Sequence, residues 1–299
     1  MRVALTGASG FIGSRLAAEL AARGETVVRL VRRAARGRDE VVWDPDRGLL
    51  DPAALAGVGA VVHLAGANLG DGRWSPARKR EILQSRVRGT ELLARTLASM
   101  PQPPPVLVCA SAVGYYGDRG PERVDEQSAA GSGFLAGVCR AWEEAAAPAA
   151  ARGLRVTHLR LGLVLARDGG GLPQLMRPFL IGVGGSLGSG RQFLPWIALD
   201  DACEIFLRAL TEANWRGAIN VVAPQLVTNG EFARSLGRVL RRPAMLPAPA
   251  WALRLLMGEM AQEMLLAGQA VRPRRLQEAG FRFRHPELEG ALRFVLGRK

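Results

Sequence analysis

The run Thr6-Gly-Ala-Ser-Gly-Phe-Ile-Gly13 carries the clearest chemical implication in the chain. It joins a short apolar stretch, residues 2–5, to an Ala/Leu-rich stretch over about 11–23. A strand, a glycine turn and a helix in that order make a cradle for phosphates. Gly7 permits the tight turn, Gly10 lets the backbone approach a pyrophosphate, and Gly13 lets the helix pack close to the strand. The open N–H groups and positive dipole end of the helix then face negative charge. Thr6, Gly7, Gly10, Phe11, Ile12 and Gly13 are the expected dinucleotide contacts. The competing reading is a turn with a structural role alone.

The next strand, 26–31, decides which dinucleotide. An acid at its end would bond the ribose hydroxyls of NAD and repel a 2′-phosphate. Here it ends Leu30-Val31-Arg32-Arg33, with Glu25 at the wrong end and Asp39 too late. A guanidinium offers forked donors to a phosphate. NADP(H) is therefore expected, with Arg32 as first contact and Arg33 or Arg36 assisting, against the reading that these are surface arginines in an Arg-rich chain. Leu64, Ala65 and Gly66, where a later apolar strand ends, are expected to line the nicotinamide-side ribose.

The elements that must position these groups alternate in type. Strands are expected at 26–31, 41–43, 60–64, 106–110 and 155–161, with helices at 11–23, 78–100 and 134–152. Buried apolar strands alternating with helices imply an α/β fold with a doubly wound parallel sheet. The rhythm changes after Val164. Residues 167–193 form a glycine-rich excursion, and such loops are often functional. Residues 196–199 and 200–210 read as a strand and helix returning to the main sheet, and 218–221 as a further strand. Beyond 224 the chain is mostly helical. Thr228 or Asn229 caps a helix to 240, 243–249 is a linker, helices follow over 250–269, and 280–283 is an extended segment docking the cap. The expected division is a nucleotide domain over 1–165, rejoined by 194–222, and a smaller, mostly helical C-terminal cap over 166–193 and 223–299.

The formal charge of +13 over 299 residues suggests a nucleic-acid partner, but the basic residues are dispersed and only Lys79 and Lys299 are lysines. The densest basic patch, Arg78-Lys79-Arg80 with Arg86 and Arg88, falls on a helix capped by Ser75, with Pro76 in its first turn. It reads as a solvated face, with attraction for a small anion as the alternative. Nucleic acid is not expected. No apolar run reaches the roughly 18 residues that span a bilayer, and the N-terminus reads as strand and turn rather than as a secretory leader. Cys109, Cys139 and Cys203 are widely spaced and suggest neither disulfides nor a metal site. A cytoplasmic protein without metal or membrane partner is expected. His63 is the histidine expected near the crevice, His158 is a strand residue and His285 a surface one. Met257, Met260 and Met264 read as helix packing.

Beyond the glycine turn, Leu64-Ala-Gly66, Arg73-Trp74, Ser111-Ala-Val-Gly-Tyr-Tyr-Gly-Asp118, Trp142-Glu143, Leu187-Gly-Ser-Gly-Arg-Gln192 and Trp196-Ile197 with Asp200-Asp201 form a pattern. The chain resembles the extended branch of the short-chain dehydrogenase/reductase superfamily. More closely, it resembles the atypical epimerase family group with a C-terminal domain of unknown function. That resemblance implies a Rossmann-type fold, a nicotinamide cofactor, and a homodimer through helices 78–100 and 134–152. It also implies a Tyr-x-x-x-Lys pair, which is missing: the corresponding helix begins Phe134-Leu-Ala-Gly-Val138, and neither Tyr115 nor Tyr116 has a lysine four residues on.

Three readings follow. In the first, the proton donor has moved to Tyr115 or Tyr116, on the loop after the strand at 106–110, with Ser111 where relatives keep a polarising hydroxyl. Arg119 lies four residues after Tyr115, but the Gly117-Asp118 turn breaks helical spacing. In the second, the protein binds NADP(H) as a regulator or interaction protein. In the third, a substrate group or water serves as the acid, with Asp118, Asp125 and Glu126 nearby. On the substrate side the resemblance implies that Arg191 holds an anionic group of a small molecule and that Gln192 and Trp196 line its pocket. Ala198 stands where sugar-nucleotide relatives often carry histidine, which weakens transfer of that specificity. An NADP(H)-dependent oxidoreductase or epimerase-like protein is expected, a non-catalytic NADP(H) regulator being the alternative.

Overall fold

The computed structural model describes residues 1–298. In chain order, β1 (Arg2–Thr6) leads into α1 (Phe11–Ala22), β2 (Thr26–Val31), β3 (Glu40–Asp44) and the short β4 (Leu49–Leu50). Then come β5 (Ala60–His63), α2 (Pro76–Ser99), β6 (Val106–Ala112), β7 (Arg123–Val124), α3 (Phe134–Glu144) and α4 (Ala147–Ala151). β8 (Arg155–Leu161), β9 (Leu163–Leu165), α5 (Leu172–Leu180), β10 (Trp196–Ala198), α6 (Leu199–Thr211) and β11 (Gly217–Val221) follow. The remainder holds α7 (Asn229–Leu240), α8 (Ala250–Met257), α9 (Glu259–Ala261), β12 (Ala270–Val271), α10 (Arg274–Glu278) and α11 (Leu288–Val295).

Eight strands form the main sheet in the order β11-β8-β6-β5-β1-β2-β3-β4. All pairings are parallel except that of β4, which closes the edge antiparallel to β3. Every residue of β5 is buried, as a strand covered on both faces requires. On one face Leu16 and Leu20 of α1 pack with Ile205 and Phe206 of α6. On the other, Leu93 and Leu97 of α2 pack with Ala149 of α4. The chain leaves β1 in one direction toward β2 and in the other toward β5. The C-terminal ends of β1 and β5 thus flank the switch point where such sheets bind ligands. Ser75 accepts from the Arg78 N–H and Pro76 opens α2, so the helix starts where its capping residues dictate.

Several elements depart from expectation. β10 pairs with β9 in a separate two-stranded sheet, so that strand does not return to the main one. The helix expected over 134–152 breaks into α3 and α4, because Pro148 tolerates only the first turn of a helix. Residues 280–283, expected as an extended segment, form no strand: Gly280 turns the chain at φ +65° after α10, and Phe281 packs into the main core rather than the cap, with the Arg208 guanidinium 5.2 Å from its ring centre. A short parallel pair, β7 with β12, ties the loop after Tyr116 to the C-terminal region. α5, α7 and α11 share their own core with Trp196. Among the described residues, no helix is long and apolar enough to cross a membrane.

Candidate functional site

At the end of β1, Gly7 takes φ +68°, a conformation that only glycine adopts without strain. A Cβ on Gly13 would overlap the Gly7 carbonyl oxygen, so the close packing of helix on turn requires hydrogen there. A Cβ on Gly10 would meet only the Gly7 oxygen, at 3.1 Å, within 4 Å. The space in front of Gly10 is open. Gly10 is also the N-cap of α1 and offers no side-chain cap, which leaves the first N–H groups of the helix for a ligand.

Thr6 is fully buried and presents no side chain to a ligand, contrary to its expected role as a contact. Its Oγ1 accepts from the N–H groups of Leu64 and Ala65 at 3.0 and 3.2 Å and lies 2.7 Å from Nδ1 of His63. It staples the ends of β1 and β5 and so sets the shape of the cradle. Phe11 and Ile12 are half-buried and pack on the core. The Phe11 ring is covered by Gly169 and Gly170, where added side chains would collide with it. Leu64 and Ala65 pack against the two cores on either side of the sheet, and Gly66 lies against Arg86.

At the end of β2 the two arginines differ. Arg33 is held by Glu40 through a forked pair at 2.7 and 2.6 Å. The Arg33 guanidinium and the Arg36 backbone N–H bring the Glu40 carboxyl down to about 2. Arg32 is exposed, and none of the described residues pairs with its side chain. One cation is neutralised by the protein and its neighbour, among the described residues, is not. Gly10, the uncapped α1 and Arg32 together fit a phosphorylated dinucleotide.

Further along the strand ends lies a cluster that sequence reasoning did not assemble. Ser111 donates to Oε1 of Glu143 at 2.7 Å. Glu143 also takes a forked pair from Arg160, with both contacts at 2.8 Å. Arg160 donates to the Tyr116 hydroxyl at 2.9 Å, and that hydroxyl donates to Asn220 Oδ1 at 2.8 Å. Register explains the convergence: Arg160 of β8 lies opposite Ser111 of β6 and Asn220 of β11. Burial raises the Glu143 carboxyl, but the hydrogen bonds and charge of Arg160 outweigh this and hold it below its ordinary value. Burial pushes Tyr116 up to about 12 against the pull of Arg160 and Asn220.

Tyr116 is wholly enclosed and its hydroxyl is committed in both directions. It is not presented to a ligand, which corrects its expected part as a proton donor. Ser111 is buried too, its proton given to Glu143. Tyr115 is half-buried. Its ring lies under the Arg160 guanidinium, 3.4 Å from Cζ to ring centre, and its hydroxyl has no hydrogen-bond partner among the described residues. The nearby acids hold structure. Asp118 accepts from the Gly268 N–H, and Glu126 from the Asn220 N–H. Arg160 had one visible signal, a charge between Leu159 and Leu161 in a strand expected to be buried.

The position of the missing tyrosine is closed. Phe134 is half-buried, with Trp74 edge-on at 5.2 Å and the Lys79 ammonium 4.6 Å over its ring. Val138 is buried. Glu263 accepts from the N–H groups of Phe134 and Leu135 at 3.2 and 3.1 Å, capping α3 from the C-terminal region. On the substrate side Arg191 is exposed. The Gln192 side chain is spent on the carbonyls of Leu187 and Leu265. Trp196 is only 1% exposed. It belongs to the core shared by α5, α7 and α11 and does not line an open pocket.

With this geometry in place, comparison with known proteins is consistent throughout. Residues 3–222 match the NAD dependent epimerase/dehydratase family, and residues 248–295 match a domain of unknown function, DUF1731. The chain is 43% identical over 296 residues to an epimerase family protein of Mycobacterium bovis, covering 99% of this chain and 98% of the relative. It is 37% identical to epimerase family protein SDR39U1 of Homo sapiens, covering 99% and 100%. Among solved structures, human SDR39U1 crystallised with NADPH superposes with a TM-score of 0.89 at 36% identity, covering all of both chains. A nucleoside-diphosphate sugar epimerase from Corynebacterium glutamicum superposes at 0.84 with 36% identity, covering 99% of this chain and 58% of that one. The chain belongs to the NAD dependent epimerase/dehydratase family.

Proposed function

We propose that the protein is an NADP(H)-dependent oxidoreductase or epimerase-like enzyme acting on a small substrate, with Arg191 favouring an anionic one. The observation that carries this reading is the open glycine cradle beside Arg32, which is unpaired among the described residues, next to an Arg33 already neutralised by Glu40. The NADPH in the structure of human SDR39U1 supports the same cofactor here. Bound there, the nicotinamide would supply or accept hydride. The protein's part is to hold the phosphates on Gly10, Phe11, Ile12 and Gly13, to grip the 2′-phosphate with Arg32, and to orient Tyr115 under Arg160. Of Ser111, Tyr115 and Tyr116, only Tyr115 keeps an uncommitted hydroxyl, so it is the group assigned to proton transfer. Ser111 and Tyr116 are positioning residues acting through Glu143 and Arg160.

Calorimetric titration tests the cofactor assignment. NADPH should bind at least tenfold tighter than NADH. Arg32→Ala should remove most of that preference, as expected for a charge-assisted pair of about 1.5–3 kcal/mol. Equal affinities, or an indifferent Arg32→Ala, would overturn it.

A second reading, a non-catalytic NADP(H) regulator, is favoured by the apolar closure at Phe134 and Val138. Tyr115→Phe separates the two. An enzyme should keep its NADPH affinity while losing turnover by about a hundredfold, the usual worth of a positioned acid, in a screen of small carbonyl acids followed by NADPH absorbance. A regulator should show no NADPH consumption in that screen with either protein.

A further inference from the structure

Arg86 stands apart from the other buried arginines. Arg160 is answered by Glu143, and Arg155 donates through both terminal nitrogens to the carbonyls of Ala209, Leu210 and Trp215. Arg86 is only 9% exposed, yet none of the described carboxylates lies within ion-pair distance of it. Only its Nη1 is engaged, with the carbonyls of Ala67 and Ile82 at 3.0 and 3.2 Å. Nε and Nη2 have no hydrogen-bond partner among the described residues, and neither is sealed from solvent. The expectation of a solvated face is corrected here. Arg86 falls with Ile82, Gly89, Thr90 and Leu93 on the buried side of α2, as spacings of three and four residues dictate.

Its location is the crevice. A Cβ on Gly66 would come within 3.3 Å of the Arg86 Cζ, so the guanidinium lies directly against the chain leaving β5. The Trp142 ring centre is 5.0 Å away. Burial lowers the Arg86 pKa, and its charge helps to lower that of His63. A buried cation without a counter-ion is costly, and the cost falls when an anion with matching acceptors arrives.

We propose that Arg86 anchors an anionic group of the ligand held at the β1/β5 crevice, a phosphate or carboxylate that takes the two free donors. The assignment rests on the crevice being the ligand site, as in the function proposed above. It differs from the role of Arg32, which stands at the end of β2. The anion has two sources, the cofactor pyrophosphate or the substrate.

The test titrates wild type and Arg86→Met with NADPH, with inorganic pyrophosphate, and with oxamate after NADPH loading. Met keeps the apolar stem and removes the charge. Arg86→Gln, which retains a donor for Ala67, is read by the same criteria should the Met variant not fold. A tenfold to hundredfold loss of NADPH affinity, the range for charge-assisted hydrogen bonds of about 1.5–3 kcal/mol, would place a cofactor phosphate on Arg86. Unchanged NADPH affinity with loss of oxamate binding would place the substrate anion there. Wild type that ignores NADPH but binds pyrophosphate through Arg86 would sink the dinucleotide reading and keep the anchor. A folded variant that treats all three probes as wild type does would overturn the proposal.

Discussion

Replacing Arg160 by Met should destabilise the fold by about 3–5 kcal/mol, the cost of leaving a buried charge without its partner. The Arg160 and Glu143 side chains are 5% and 14% exposed, so water cannot take over the lost contacts. The substitution strips two donors from Glu143, one from the Tyr116 hydroxyl, and the cation from the Tyr115 ring. Urea unfolding monitored by tryptophan fluorescence reads the loss. Adding Glu143→Leu to Arg160→Met should recover much of it, because the uncompensated carboxylate is then gone.

The pH dependence of the two proteins should have opposite sign. In wild type the folded Glu143 carboxyl lies below its ordinary 4.5. The stability it contributes is complete above that value and is lost as pH falls through the folded pKa. In Arg160→Met burial, the largest influence, is opposed only by His158 and the Ser111 hydroxyl, and it should raise the carboxyl above 4.5. The deficit should then be largest at neutral pH and shrink as pH falls toward the unfolded value. A variant within 1 kcal/mol of wild type across this range would show the pair to be replaceable by packing alone.

This cluster also marks where legibility ended. The glycine turn and the apolar runs of β5 and β6 could be read because their signals are local: turn chemistry and periodicity. Arg86 could also have been read locally. Its spacing from Ile82 and Leu93 puts it on the buried stripe of α2, but the density of basic neighbours suggested a solvated face. Glu143, Arg160 and Asn220 come from α3, β8 and β11, and only the strand order brings them to Ser111. Glu263 caps α3 across 129 residues of sequence, a contact that no window over residues 134–144 contains. Trp196 misled for a different reason. Its segment resembles the one that contacts substrate in sugar-nucleotide relatives, whereas the pairing of β10 with β9 turns it into the core beneath α5 and α7.

Acidification from pH 6.5 should remove about 3 kcal/mol of stability through His63 alone. The imidazole is fully buried, and burial, helped by the charge of Arg86, lowers its pKa from 6.5 to about 4. Thr6 accepts two backbone N–H groups, so its own proton is free to go to Nδ1 of His63, 2.7 Å away. His63 is then the neutral tautomer with its proton on Nε2, a nitrogen that is sealed and has no partner among the described residues. The Trp43 ring meets it edge-on at 5.8 Å. Protonation would make Nδ1 a donor facing a donor and break the staple that positions Leu64, Ala65 and Gly7. In sign, the unfolded chain takes up its proton near 6.5 while the folded chain resists until about 4. Stability is therefore complete above pH 6.5, falls through the window between, and levels off below it. The size follows from that gap at about 1.4 kcal/mol per pH unit. His158, also lowered by burial, adds a slope of the same sign, so the decisive reading is the difference between proteins. His63→Asn, whose Oδ1 can accept from Thr6, should be less stable at neutral pH but lose most of the slope between pH 6.5 and 4. Retention of the full wild-type slope in His63→Asn would move the titration to another group. If NADPH affinity falls over the same window in wild type and not in the variant, the staple and the cradle are one device.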